Sequence, residues 1–199
     1  SVAVATPSPV ARVTIALPPG DQLDHRSNPA LALSPDGTKL AYVGMHGNGP
    51  RQVFLRVMDG TEAKAIAGAD GARVPFFSPD GQWIVFSSMR DAYNRTLSPA
   101  EQKQLATDPS YFGEIYIMKA DGSGQTRLTT TPGYDGGPFF NHDGSRIIWR
   151  RFDENGLIAN VWSMKLDGTD QKQITDFGSM SWAPYEHPSG QYIVFASNK

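Results

Sequence analysis

Histidine, serine and paired carboxylates are the residues of this chain that could move protons, hold a metal or attack a carbonyl, and their spacing serves none of these tasks. The histidines are His25, His46, His142 and His187, with no His-x-x-x-His or His-Glu pairing suited to zinc. His142 and His187 fall inside equivalent turns, where other copies of the same turn carry Pro79 and Ser78, so both are expected as solvent-side turn residues. His25 and His46 are expected in loops. Gly178-Ser179-Met180-Ser181-Trp182 approaches a nucleophile elbow but lacks its closing glycine and its strand-turn-helix setting. Asp121-Gly122-Ser123-Gly124 is too short for a calcium loop and reads as a turn with local side-chain bonds. Gly44–Gly49 lacks phosphate-loop spacing, and Gly-Lys-Ser/Thr is absent. Asp153 and Glu154 read as solvated loop charge. The chain has 0 cysteines, which removes disulfides and thiolate ligands. The expectation is no catalytic, metal-binding or cofactor-binding residues, no cofactor, and no enzymatic activity.

A second set of residues suits recognition instead. Tyr93, Arg95, Tyr111, Tyr134, Asp135, Arg150, Arg151 and Trp182, with Asp91 and Asp153 beside them, mix aromatics with arginine as binding surfaces do. They are scattered over about ninety residues, so only the fold can gather them.

The elements that would do so are written into the chain four times. Polar turns stand at Ser34-Pro35-Asp36-Gly37, Ser78-Pro79-Asp80-Gly81, Asn141-His142-Asp143-Gly144 and His187-Pro188-Ser189-Gly190. Three residues after each turn glycine comes Leu40, Ile84, Ile147 or Ile193, and five after it Tyr42, Phe86, Trp149 or Phe195. A second turn recurs at Asp59-Gly60, Asp121-Gly122 and Asp167-Gly168, preceded by Phe54, Tyr116 and Trp162 and followed by Ile66, Leu128 and Ile174. Short alternating runs bounded by such turns are hairpin signals. Four strands per unit of about 45 residues make one propeller blade. Pro75, Pro138 and Pro184, each three residues before a turn, cannot donate to a ladder and belong at the entry to the innermost strand. Phe54, Tyr116 and Trp162 are expected as blade-packing residues.

The predicted fold is therefore all-β: one propeller domain over residues 12–199, with residues 1–11 as a flexible lead-in that lacks the features of a signal peptide. The second unit carries about 18 extra residues within 89–113, where Ser98-Pro99-Ala100-Glu101 is a capping box predicting a short helix, roughly Pro99–Ala106. The fourth unit stops after two strands. Arg12–Leu17, with Gln22–Leu23 as a further candidate strand, is expected to complete it and close a four-bladed ring. Two other arrangements stay open: two chains sharing an eight-bladed ring, and a portion of a six- to eight-bladed protein. In a four-stranded blade the loops after strands two and four emerge at one end. The insertion, residues 67–73, 130–137, 150–156 and 176–182 should therefore share a face and collect the aromatic and arginine set. The plainer reading has Tyr134 and Trp182 only plugging a narrow channel.

Bulk properties agree. Of 199 residues, 39% are apolar and 20 are glycine with 15 proline, which favours a packed core with many turns. Net charge is −2, giving no electrostatic case for nucleic acid or an anionic membrane, and no apolar run reaches membrane-spanning length.

Ser-Pro-Asp-Gly, then aliphatic-x-aromatic, then an aromatic strand ending in Asp-Gly, resembles the TolB-type propeller repeat over roughly residues 12–199. Residues 12–86, with Arg12-Val13-Thr14-Ile15-Ala16-Leu17-Pro18-Pro19-Gly20, resemble propellers attached to bacterial Ser/Thr protein kinases. Residues from about 88, with Arg90-Asp91-Ala92-Tyr93 and Asp108-Pro109-Ser110-Tyr111-Phe112-Gly113, resemble propellers accompanying bacterial zinc aminopeptidases. The change of idiom suggests a chimera. The resemblance implies a non-catalytic scaffold that binds a protein or peptide partner in a periplasmic or extracellular setting, and the blade count leaves a monomer or a ring-sharing homodimer. Its rivals are a substrate-docking accessory domain of a larger hydrolase, and an engineered or recombined propeller without a selected ligand.

Overall fold

A computed structural model of the chain describes residues 14–24 and 30–199. The first sheet holds β1 (Asp21–Leu23), β2 (Leu31–Leu33), β3 (Lys39–His46), β4 (Gln52–Val57) and β5 (Ala63–Ala65). The second runs β6 (Ala72–Phe77), β7 (Trp83–Ser88), β8 (Glu114–Lys119), β9 (Thr126–Arg127). The third runs β10 (Asp135–Phe140), β11 (Arg146–Phe152), β12 (Ala159–Lys165), β13 (Lys172–Gln173). The fourth pairs β14 (Ser181–Glu186) with β15 (Ile193–Ser197) alone. Among the described residues every strand pairing is antiparallel and between chain neighbours, apart from β1, which joins β3 across β2; a single parallel bridge links Ala159 to Met180. These sheets are the blades of a β-propeller.

The turns are built by side chains closing on nearby backbone. Ser34, Ser78 and Asn141 each accept, through a side-chain oxygen, the amide five residues on: Lys39 at 2.8 Å, Trp83 at 2.9 Å and Arg146 at 2.8 Å. Ser34 and Ser78 also donate to Asp36 (2.6 Å) and Asp80 (2.5 Å). Those bonds hold the two carboxyls low, Asp36 at about 2. A Cβ at Gly144 would stand only 3.2 Å from Pro79, so the corner of one blade rests on the next.

The blades are joined by apolar faces. Ala41 and Val53 of the first pack on Ile84, Phe86 and Met118 of the second. Val85 and Ile115 of the second meet Ile147, Trp149 and Met164 of the third. Phe139, Ile148 and Val161 of the third meet Ile193 and Phe195 of the fourth. The aromatics spaced by the repeat pair across strands in register: Tyr42–Phe54 at 5.2 Å, Phe86–Tyr116 at 5.6 Å and Trp149–Trp162 at 6.3 Å between centroids. Tyr42, Phe86, Tyr116 and Trp149 are essentially inaccessible to water. Each such side chain contributes roughly 1.5–3 kcal/mol of burial.

Among the described residues the N-terminal segment does not complete the fourth sheet as expected but joins the first. Gln22 and Leu23 pair with Met45 and Gly44 of the first blade, not with β15. Ile15, Leu17 and Leu23 pack on Leu40, Tyr42 and Phe54, and Arg56 donates to the Ala16 carbonyl at 2.8 Å. The segment thus covers the apolar face that Leu40, Tyr42 and Phe54 present on the first blade, and the β1–β3 ladder fixes it there. Arg12 and Val13 lie outside the described residues.

The second blade carries the insertion. Helix α1 (Pro99–Thr107) starts at a capping box: the Glu101 amide donates to Ser98 Oγ at 3.3 Å, and the Ser98 amide donates to Glu101 Oε2 at 2.8 Å. A 3-10 turn, Pro109–Phe112, follows. Ala92, Leu97 and Phe112 form a small core of their own beneath it, with Leu105 and Tyr111 packed against it.

Candidate functional site

The inner strands of the last three blades share one distortion. Their ladders shift register between Arg73 and Phe76, Gly136 and Phe139, and Trp182 and Tyr185. At each shift the residue before the proline takes a left-handed conformation: Val74 at φ 52°, Gly137 at φ 62° and Ala183 at φ 50°. A β-branched residue with positive φ is strained. Its recurrence at one repeat position shows that the architecture imposes the bulge. A bulge re-aims side chains, and here it governs the residue just before it in each strand: Arg73, Gly136 and Trp182.

Arg73 and Trp182 line one cleft of about 500 Å³ with Tyr111, Tyr134, Arg150 and Phe152. The insertion adds Gln104, Asp108 and Ser110, and the β11–β12 connection adds Asp153 through Gly156. Two glycines make room for Tyr134. A Cβ at Gly113 would lie 2.6 Å from its ring, and one at Gly136 would lie 2.1 Å from its hydroxyl. The Gly113 carbonyl also accepts the Asp135 amide at 2.9 Å, tying the insertion to the third blade. The Arg150 guanidinium stands 5.4 Å from the Tyr134 ring centre and donates to its hydroxyl at 3.4 Å.

The charges in the cleft differ in how far they are satisfied. Asp153 accepts the Ile158 and Leu157 amides at 2.8 Å each, and those bonds, Ile158's above all, hold its carboxyl low. Asp108 accepts the Ser110 amide at 3.0 Å and the Ser110 hydroxyl. Burial raises the Tyr111 phenol, with Glu154 adding to it through its charge. Arg73 Nε and Arg150 Nε are buried without a hydrogen-bond partner.

The sequence-predicted residues divide evenly. Tyr111, Tyr134, Arg150 and Trp182 line the cleft, and Asp153 joins them. Asp135 and Arg151 lie beneath it as a brace. Asp135 is fully buried and accepts from Trp149 Nε1 (2.9 Å), Arg151 Nε (2.8 Å) and an Arg151 terminal nitrogen (2.9 Å). The Arg151 guanidinium also sits 4.8 Å from the Trp162 ring. Arg95 pairs with Glu101 of the capping box at 2.7 Å. Tyr93 stands exposed over a separate hollow beside Pro50 and Met89. Arg73, Gln104 and Phe152 were not singled out by the sequence. Arg73 has a legible signal in hindsight: it stands five residues before Ser78, as Trp182 stands five before His187.

A second polar cluster anchors the insertion. Arg127 donates to Asp91 at 2.6 Å, to Glu114 at 2.5 Å and to the Thr129 carbonyl at 2.7 Å, while the Thr129 hydroxyl donates to Glu114 at 2.5 Å. Burial pushes the Glu114 carboxyl up to about 7, against the pull of Thr129 and Arg127. The third blade repeats this cluster without charge. Gln173 donates to the Thr175 carbonyl at 2.8 Å, and Thr175 donates to Asn160 at 3.1 Å.

The remaining histidines serve structure, and His46, expected in a loop, ends β3. His46 Nδ1 lies 2.8 Å from Asp21, His142 pairs with Glu186 at 3.0 Å, and His187 stacks on Tyr192 with ring centres 4.4 Å apart. His25 lies outside the described residues. Among the described residues no three His, Asp or Glu side chains converge as metal ligands.

Three comparisons bear on this geometry. No protein-family model matches the chain. It is 27% identical over 165 residues to an uncharacterised protein of Agrobacterium fabrum, covering 83% of this chain and 49% of that one. It is similar to the structure of a putative TolB from Agrobacterium tumefaciens, with a TM-score of 0.67, 26% identity, and coverage of 86% of this chain and 54% of the other. The fold is a TolB-type β-propeller. TolB from Acinetobacter baumannii gives the same architecture at a TM-score of 0.61 and 21% identity, covering 83% of this chain and 36% of that one. The chain thus spans about half the length of the first relatives it matches.

Proposed function

We propose that the chain is a non-catalytic binding module whose loop-face cleft receives a segment of a protein partner. The observation that carries this reading is convergence. Five separate stretches, residue 73, the insertion, residue 134, residues 150 and 152–156, and residues 180–182, leave one concave, aromatic-walled space beside two half-buried arginines whose Nε atoms are buried. Concave, aromatic-lined sites with a few polar groups are the usual form of ligand sites. A catalytic reading lacks support from the same side chains. Asp108 and Asp153 each accept two local hydrogen bonds through Oδ1, and among the described residues no hydroxyl in the cleft is held by a histidine.

Selection of dodecapeptides from a random library on the purified chain tests this. Binding should fall at least tenfold with Trp182→Ala and stay unchanged with Tyr93→Ala, which lies outside the cleft. Peptides that bind the Trp182→Ala variant as well as the parent would refute the cleft as the site. Turnover of peptide or ester substrates that is abolished by Glu154→Gln would refute the non-catalytic reading.

A further inference from the structure

Resting on the cleft as the binding site, we infer that its ligand is a carboxylate-bearing peptide, with the carboxylate held between Arg73 and Arg150 and neighbouring apolar groups on Tyr134 and Trp182. The basis is a contrast among the arginines. Arg51 pairs with Asp24, Arg95 with Glu101, Arg127 with Asp91 and Glu114, Arg146 with Asp170, and Arg151 with Asp135. Arg56 and Arg90 are held by backbone carbonyls. Arg73, by contrast, makes no side-chain hydrogen bond or ion pair with any described residue. Arg150 has only the long bond to the Tyr134 hydroxyl. Both line the same cleft, and both hold a buried Nε with no acceptor. Leaving a buried charged donor unsatisfied is costly, and a guanidinium fork matches a carboxylate in plane and spacing.

The surroundings select among anions. Asp108, Asp153 and Glu154 stand in the same lining, and the chain carries a net charge of −2, so a polyanion such as nucleic acid meets repulsion on approach. A single carboxylate on an otherwise neutral, partly apolar segment does not. Tyr111, Tyr134, Phe152 and Trp182 offer such a segment flat apolar surface.

The test uses an array of random dodecapeptides in two forms, with free and with amidated C-termini, probed with the parent chain and with Arg73→Gln, Arg150→Gln and the double variant. Thermal melting confirms that each variant is folded. The expected result is that bound peptides require a carboxylate. Preference for the free form identifies a chain terminus as the source, and enrichment of Asp or Glu in the amidated set identifies a side chain. Each single variant should weaken binding about tenfold, and the double variant should abolish the carboxylate preference. Binding that is indifferent to carboxylates, or a preference that survives in the double variant, overturns the inference. If that binding is still lost with Trp182→Ala, the cleft stands as a site while its ligand class does not. An array with no bound peptide counts against both.

Discussion

The third and fourth blades carry the same turn, the same proline-marked bulge and the same apolar spacing, yet they differ sharply in burial. Phe139 is 8% exposed where its fourth-blade counterpart Tyr185 is 60% exposed, and Ile148 is 2% exposed where Val194 is 58%. The third blade has the fourth packed against it, whereas that face of β14 and β15 meets solvent. A blade's sequence therefore supplies a face, and only the neighbouring blade turns that face into core. This is the nearest-neighbour energetics of repeat proteins.

The largest expected effect separates the two blades at the start of the inner strand. Asp135→Ala leaves Arg151 and the Trp149 N–H without their acceptor in a fully buried setting. It should cost about 3–5 kcal/mol in urea unfolding. Ser181 occupies the same repeat position, and its buried hydroxyl has no partner. Ser181→Ala should be neutral or slightly stabilising. Equal costs for the two would break the comparison.

Truncation of the packing face comes next. Ile148→Ala should cost about 2–4 kcal/mol, and Val194→Ala under about 0.5 kcal/mol. A large loss at Val194 would show that its face is covered in solution.

The second and third blades make a similar contrast at Glu114 and Asn160. Glu114 has a folded value of about 7, above its ordinary range. The folded state therefore holds the proton more tightly, and this contribution is complete below about pH 4. It is lost as pH rises through 7, and amounts to roughly 3 kcal/mol at most. Glu114→Gln, which imitates the neutral third-blade cluster, should flatten the fall in urea midpoint between pH 5 and pH 8. A slope unchanged in the variant would assign the effect elsewhere. Asp36, Asp80 and Asp143 are held low by turn donors and act with the opposite sign, losing their contribution as the solution becomes more acidic than about pH 4.

A smaller contrast concerns the bulge. Ala183 is exposed and left-handed. Ala183→Gly should raise stability by about 0.5–1 kcal/mol, and Gly137→Ala should lower it by about as much, read from thermal melts.

Much of the blade is legible in the sequence. The four turns, the aromatic and aliphatic offsets and the capping box at Ser98 each depend on partners within a few residues, so composition and spacing carry them. Pro75, Pro138 and Pro184 read as strand entries but sit mid-strand, at the bulges of β6, β10 and β14. The cleft was legible in part. Tyr111, Tyr134, Arg150 and Trp182 follow from strand alternation and loop order. Asp135 and Arg151 read equally well as surface residues, because nothing local reveals that Trp149 would aim its N–H at Asp135. Arg73 was missed because an isolated charged residue two positions before a proline looks like any loop charge until the repeats are overlaid.

The sequence by itself determined the blade: its strands, corners and register, set by short-range hydrogen bonding and a two-residue periodicity. Tertiary structure alone decided where residues 14–24 dock, which arginines find acceptors, and which apolar faces become core. Those outcomes depend on surfaces brought together from distant parts of the chain. A short apolar segment such as Ile15–Leu17 fits any exposed blade face equally well by composition, so its place is decided by contacts that only the folded chain supplies, the β1–β3 ladder and the bond from Arg56 to the Ala16 carbonyl.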